Sequence, residues 1–135
     1  MSPGQLLGEL EAKSGRIVVA DLEAGVGTIS RLQRGNVDRL LLVAEPSAKS
    51  LEVAKRALEI AREVEIDDVS VVASRVSDHD DVARIKESLP GVPLLCVPED
   101  PSVRDADRIG VAPIDHAPHS PAMTAIRDIA DALGR

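Results

Sequence analysis

Four short apolar runs, each nearly unbroken, set the terms on which this 135-residue chain can fold. They are Ile17-Val18-Val19-Ala20, Leu40-Leu41-Leu42-Val43-Ala44, Val69-Ser70-Val71-Val72-Ala73 and Pro93-Leu94-Leu95-Cys96-Val97. A strand with one wet face alternates apolar and polar residues, whereas a strand covered on both faces does not. The runs therefore predict a sheet enclosed between helical layers. Helical periodicity separates the later three. Leu51, Ala54, Leu58 and Ala61 form one stripe over residues 48–64, widened by Ile60 and Val64. Val82, Ile85 and Leu89 form another over 79–89, and Met123, Ile126, Ala130 and Leu133 a third in the tail. Helix starts are marked by Ser2-Pro3, Asp100-Pro101 and Ser120-Pro121, with Ser47 and Asp78 able to cap the other two. Strands alternating with helices mean βαβ units and a parallel sheet. The expectation is an α/β, doubly wound, mostly parallel sheet of about four strands flanked by helices, as one Rossmann-like domain over residues 1–135.

Composition narrows the chemistry. The chain has no Phe, Tyr or Trp, so its core is built from aliphatic residues and it cannot stack bases or sugars on rings. A net charge of −7 repels a phosphate backbone, which argues against a nucleic-acid partner. The single cysteine, Cys96, cannot form an intrachain disulfide, and its place within an apolar run predicts a small buried hydrophobe. No apolar run approaches the roughly 18 residues of a membrane span, and the N-terminus lacks a signal-peptide pattern. A cytoplasmic setting is expected.

In open parallel sheets, ligands gather outside the carboxyl ends of the strands. Four exits therefore matter: Asp21 to Thr28, Glu45-Pro46-Ser47, Ser74 to Asp78, and Pro98-Glu99-Asp100-Pro101. Asp21 ending an apolar strand can hold Mg²⁺ through water, and the glycines after it let a backbone amide approach a phosphate. The same residues serve equally as a loop cap and turn glycines. Lys49-Ser50 ends a strand-to-helix turn but is no phosphate loop, because Val43 and Ala48 stand where G-x-x-x-x-G-K-[ST] needs glycine. His116 and His119, beside Asp115, have a metal-compatible spacing that is also ordinary for a loop before a helix. His79 is expected at the surface.

Ile17-Val18-Val19-Ala20-Asp21-Leu22-Glu23-Ala24-Gly25, followed by Val37-Asp38-Arg39-Leu40-Leu41-Leu42-Val43 and by Glu45-Pro46-Ser47 with Ser50-Leu51, resembles the CooC-type carbon monoxide dehydrogenase maturation ATPases. These are nickel-inserting members of the MinD/ParA deviant-Walker class. Pro98 to Gly110, with Ser120-Pro121-Ala122 opening a last helix, is similar to the tail of the same class. The likeness covers about residues 16–134. It implies that Asp21 is the Walker B acid, which would hold Mg²⁺ only if a nucleotide binds, and that Gly25 is the phosphate-sensing glycine. It implies that Ser74 stands at an adenine-contacting position usually held by Asn. Pro98, Glu99 and Asp100 then line the adenine, Glu99 replacing a usual tyrosine.

The family's glycine-rich phosphate loop, its lysines and its paired nickel-binding cysteines have no counterpart in these 135 residues. Phosphoryl transfer is mostly positioning and charge neutralisation at the phosphates, so ATP hydrolysis by this chain alone is not expected. The resemblance leaves, at most, residual affinity for Mg-ATP or ADP. The expected role is a non-catalytic accessory or regulatory domain acting through protein–protein contacts; the alternative is the carboxyl half of a split ATPase completed by a partner. A receiver-like reading of Asp21 fails for want of an acidic cluster near the first strand. In the class, the phosphate-loop strand lies between the strands matching 16–21 and 39–44. Without it, either those two strands pair directly or another chain covers their open edges, and self-association or a covering partner is the expected outcome.

Overall fold

In the computed structural model, which describes residues 17–22, 26–32 and 37–134, every long helix opens on the capping residue its sequence offers. The elements run α1 (Val26–Ser30), β1 (Leu40–Ala44), α2 (Ala48–Glu63), β2 (Val69–Val76), α3 (His79–Ser88), β3 (Leu94–Pro98), α4 (Pro101–Ile109), α5 (Pro113–His116) and α6 (Pro121–Leu133). Ser47 Oγ accepts from the Ser50 amide at 3.3 Å, Asp78 from Asp81 at 2.9 Å, Asp100 from Ser102 at 2.9 Å and Ser120 from Met123 at 3.4 Å. Each satisfies an amide that the first helical turn leaves without a partner. The Ser2-Pro3 start lies outside the described residues.

Helix ends are equally local. After α2 the Ile66 amide donates to Ala61 and the Glu65 amide to Arg62, at 2.9 and 3.1 Å. This is the paired C-terminal closure that needs a left-handed residue, and Glu65 adopts it at φ 61°. The same closure after α4 uses Gly110 at φ 71°, where no side chain opposes it. Glu65→Gly is therefore expected to stabilise the domain by about 0.5–1 kcal/mol, read as a higher urea midpoint at unchanged slope. A lower midpoint would mean that the Glu65 side chain contributes more than its backbone costs.

The strands form a parallel sheet in the order β1-β2-β3. Leu40, Leu42 and Ala44 lie in register with Val69, Val71 and Ala73 on one face. That face is covered by α2 and α3 through Leu51, Ala54, Leu58, Ala61, Ile85 and Leu89, with Ile29 and Leu32 closing the end of the core. On the other face Val72 and Val97 pack against Ala122, Met123, Ala125 and Ile129 of α6. Helices thus cover both faces of a parallel sheet, the doubly wound α/β arrangement expected.

Three elements differ from expectation. Residues 17–20 are exposed and stay outside the sheet, so three strands are present among the described residues. An apolar run has strand propensity, but it becomes a strand only where an edge and two covering faces meet it. Cys96 is exposed, not buried. It is the middle residue of β3, in register with Ala73, and among the described residues β3 pairs with β2 alone, so a side chain there has a neighbouring strand on one side only. Finally, α6 turns Ala122, Met123, Ala125 and Ile129 to the sheet and leaves Ile126 46% exposed. Its sequence is apolar on more than one side, so periodicity alone does not fix its rotation. Among the described residues, no helix is long and apolar enough to cross a membrane.

Candidate functional site at the carboxyl edge of the sheet

The exits of β1, β2 and β3 meet in one network of charged side chains. β2 breaks register with β3 between Ala73 and Val76, and within that irregularity Arg75 takes a left-handed φ of 60°. The turn re-aims the Arg75 guanidinium across the edge of the sheet. Its Nε lies 2.9 Å from Glu99 Oε2, after β3, and its Nη1 lies 3.7 Å from Glu45 Oε1, after β1. Arg104, on α4, reaches Glu99 Oε1 at 3.0 Å. The Glu99 amide donates to Val76 O at 3.0 Å, fixing the loop after β3 onto the end of β2. Hydrogen bonding to Arg75, aided by the nearby charges of Arg75 and Arg104, holds the Glu99 carboxyl below its ordinary range despite partial desolvation.

Asp100 is the one buried carboxylate of this edge. Its Oδ1 accepts from the Ser102 amide at 2.9 Å and its Oδ2 from the Ala122 amide at 3.0 Å. One side chain therefore joins the N-termini of α4 and α6, where the positive ends of two helix dipoles favour a negative charge. The Ala122 amide first, then the Ser120 hydroxyl and the Ser102 amide, keep the carboxyl below its ordinary value of 3.8 against the opposing cost of burial.

The sequence-predicted residues separate accordingly. Ser74, Pro98, Glu99 and Asp100 are brought to this edge, all of them half-buried or buried. Asp21 is exposed and, because the run before it is not a strand, does not stand at an exit of this sheet. Gly25 lies outside the described residues. His116 ends α5 and His119 lies in the turn before α6; both are exposed, as is His79 at the start of α3. Among the described residues no three His, Cys, Asp or Glu side chains are grouped to hold a metal. Sequence reasoning marked Arg75 only as part of an exit and missed its bridging role. The available signal was a lone arginine ending one strand while glutamates, Glu45 and Glu99, follow the strands on either side.

Both carboxylates are engaged within the chain. Each oxygen of Glu99 faces a guanidinium group and each oxygen of Asp100 accepts an amide. What the edge offers is a rigid charged rim that ties three strands and two helices together.

Comparison with known proteins gives the arrangement a context. No family model matches the chain. It is 32% identical over 120 residues to an uncharacterized ATP-binding protein of Methanocaldococcus jannaschii, covering 87% of this chain and 46% of that one. Carbon monoxide dehydrogenase accessory protein CooC of Rhodospirillum rubrum is 31% identical over 129 residues, covering 95% of this chain and 47% of its own length. The chain thus spans under half the length of these curated relatives. Among solved structures, MinD in the MinC:MinD cell division complex of Aquifex aeolicus superimposes with a TM-score of 0.59 and 25% identity, over 74% of this chain and 44% of that one. The MinD cell division protein of Aquifex aeolicus on its own gives the same TM-score over 73% of the chain.

Proposed function

We propose that this chain, a relative of the MinD/ParA-type ATPases, acts as a non-catalytic accessory or regulatory domain through protein–protein contact. The observation that carries the reading is the state of β1. It is an edge strand, unpaired on its outer side among the described residues, and its Val43 side chain is 67% exposed on the face that α6 leaves open. Open strand edges beside apolar surface are templates for another polypeptide. The carboxyl rim points the same way, since its acids are committed to internal partners and the 135 residues hold no phosphate loop. The MinD neighbour is itself seen in a complex with MinC, which supports a partnering role for this fold.

A second reading has its own support. The matched relatives are about twice as long, and two are described as an ATP-binding protein and as CooC, so the chain can serve as the carboxyl half of a nucleotide site whose phosphate loop comes from a partner. Calorimetric titration with Mg-ATP separates the two. The chain alone is expected to give no binding heat. Heat that develops only beside a phosphate-loop protein, and is lost with Asp21→Ala, would favour the split site. ATP turnover by the chain alone would overturn both.

A further inference from the structure

We propose that β1 pairs with β1 of a second copy of this chain, antiparallel and centred on Leu42. The proposal rests on the reading of the β1 edge as a contact surface and names its occupant. Two backbone observations constrain the register. The Leu40 amide donates toward β2, to Asp68 O at 2.9 Å, so by alternation the backbone groups of Leu41 and Val43 point to the edge that is unpaired among the described residues. Antiparallel pairing about Leu42 sets Leu41 opposite Val43 of the other copy, and these are the residues whose backbone groups face outward. At the far end the ladder stops where it should, because the Glu45 amide is already used by Ser50 Oγ at 2.9 Å.

The side chains agree with the backbone. Leu41 and Val43 lie on the sheet face opposite Leu40, Leu42 and Ala44, where β1 has little cover: Val43 is 67% exposed. In the paired sheet the Leu41 and Val43 side chains of both copies come together as one four-residue apolar cluster. The same register places Arg39 opposite Glu45 of the second copy, twice by symmetry. Both side chains are surface groups, 39% and 46% exposed, so each can reach across while keeping its present neighbour, Asp68 or Arg75. A slip of the centre to Leu41 or Val43 sets Arg39 against an apolar residue or Ser47 and loses this match. Charge, apolar pattern and hydrogen-bond direction select one register, and a two-fold axis through Leu42 closes the assembly as a dimer with a six-stranded sheet.

Light scattering over a concentration series tests this. The wild-type chain is expected to approach twice the 14.3 kDa of one copy. Arg39→Glu and Glu45→Arg each replace two attractions by two repulsions and are expected to weaken the dimer about tenfold or more. An equimolar mixture of the two variants restores both pairs in a heterodimer and is expected to recover the wild-type mass, which also shows that neither variant is merely unfolded. A wild-type monomer at every concentration, or a dimer indifferent to both reversals, overturns the proposal. If that monomer nonetheless gains amide protection in β1 on adding another protein, self-pairing falls while the accessory reading stands; a monomer that hydrolyses ATP by itself removes both.

Discussion

Ile85→Ala is expected to remove about 2–5 kcal/mol of folding stability, a large part of the 5–15 kcal/mol typical of a domain. Ile85 is fully buried and is the only buried residue within α3. The rest of that helix is half-buried or exposed, so its attachment to the sheet passes through this side chain and through Leu89 just beyond its end. Truncation leaves a cavity beneath a ten-residue helix that has no second anchor of its own. The aromatic-free core sharpens the effect, since no large ring is present to settle into the space. Urea denaturation followed by circular dichroism measures the loss, and Val82→Ala, on the half-buried flank of the same helix, is the control and should cost clearly less. A loss below about 1 kcal/mol for Ile85→Ala would show that α3 is not held in this way.

The parts of the fold legible in the sequence are those governed by local rules. Ser47, Asp78, Asp100 and Ser120 cap their helices as their positions predict, because a cap is decided within four residues. The runs at 40–44, 69–73 and 93–97 become parallel neighbours, one face of the sheet covered by α2 and α3 and the other, over β2 and β3, by α6. Residues 17–20 have the same composition and no place in the sheet, for membership depends on an edge that composition cannot see. Cys96 and Ile126 fail for a related reason. Both belong to apolar runs, and whether a strand lies at the sheet's edge or which side of a helix is covered is decided by tertiary neighbours rather than by the run itself. At the carboxyl edge the sequence identified Ser74, Pro98, Glu99 and Asp100 by their place after strands. It marked Asp100 as the cap of α4 but gave no sign of its second bond, to Ala122, nor that Glu99 is held by Arg75 and Arg104.

That engagement makes Asp100 the residue whose loss reaches furthest across the molecule. Asp100→Ala is expected to lower Tm by roughly 5–10 °C and to raise hydrogen exchange in the first turns of α6 more than in α2. The reason is geometric: one carboxylate accepts the Ser102 amide of α4 and the Ala122 amide of α6, 22 residues away in sequence. Beyond this bond α6 is held by its packing on Val72 and Val97, where it buries Ala122 and Met123. Asp100→Asn keeps an acceptor oxygen and the side-chain shape, and so separates charge from geometry. Because the native carboxyl titrates below its ordinary 3.8, held there chiefly by the Ala122 amide, its contribution is present in full above that value. The contribution fades as pH falls through the lower native value, where the folded state must take up the same proton. The Tm difference between wild type and Asp100→Asn should therefore be constant near neutral pH and close on acidification below 3.8. A gap that persists unchanged into strong acid, or α6 exchange no faster than that of α2 in Asp100→Ala, would mean that the carboxylate does not clamp the two helices.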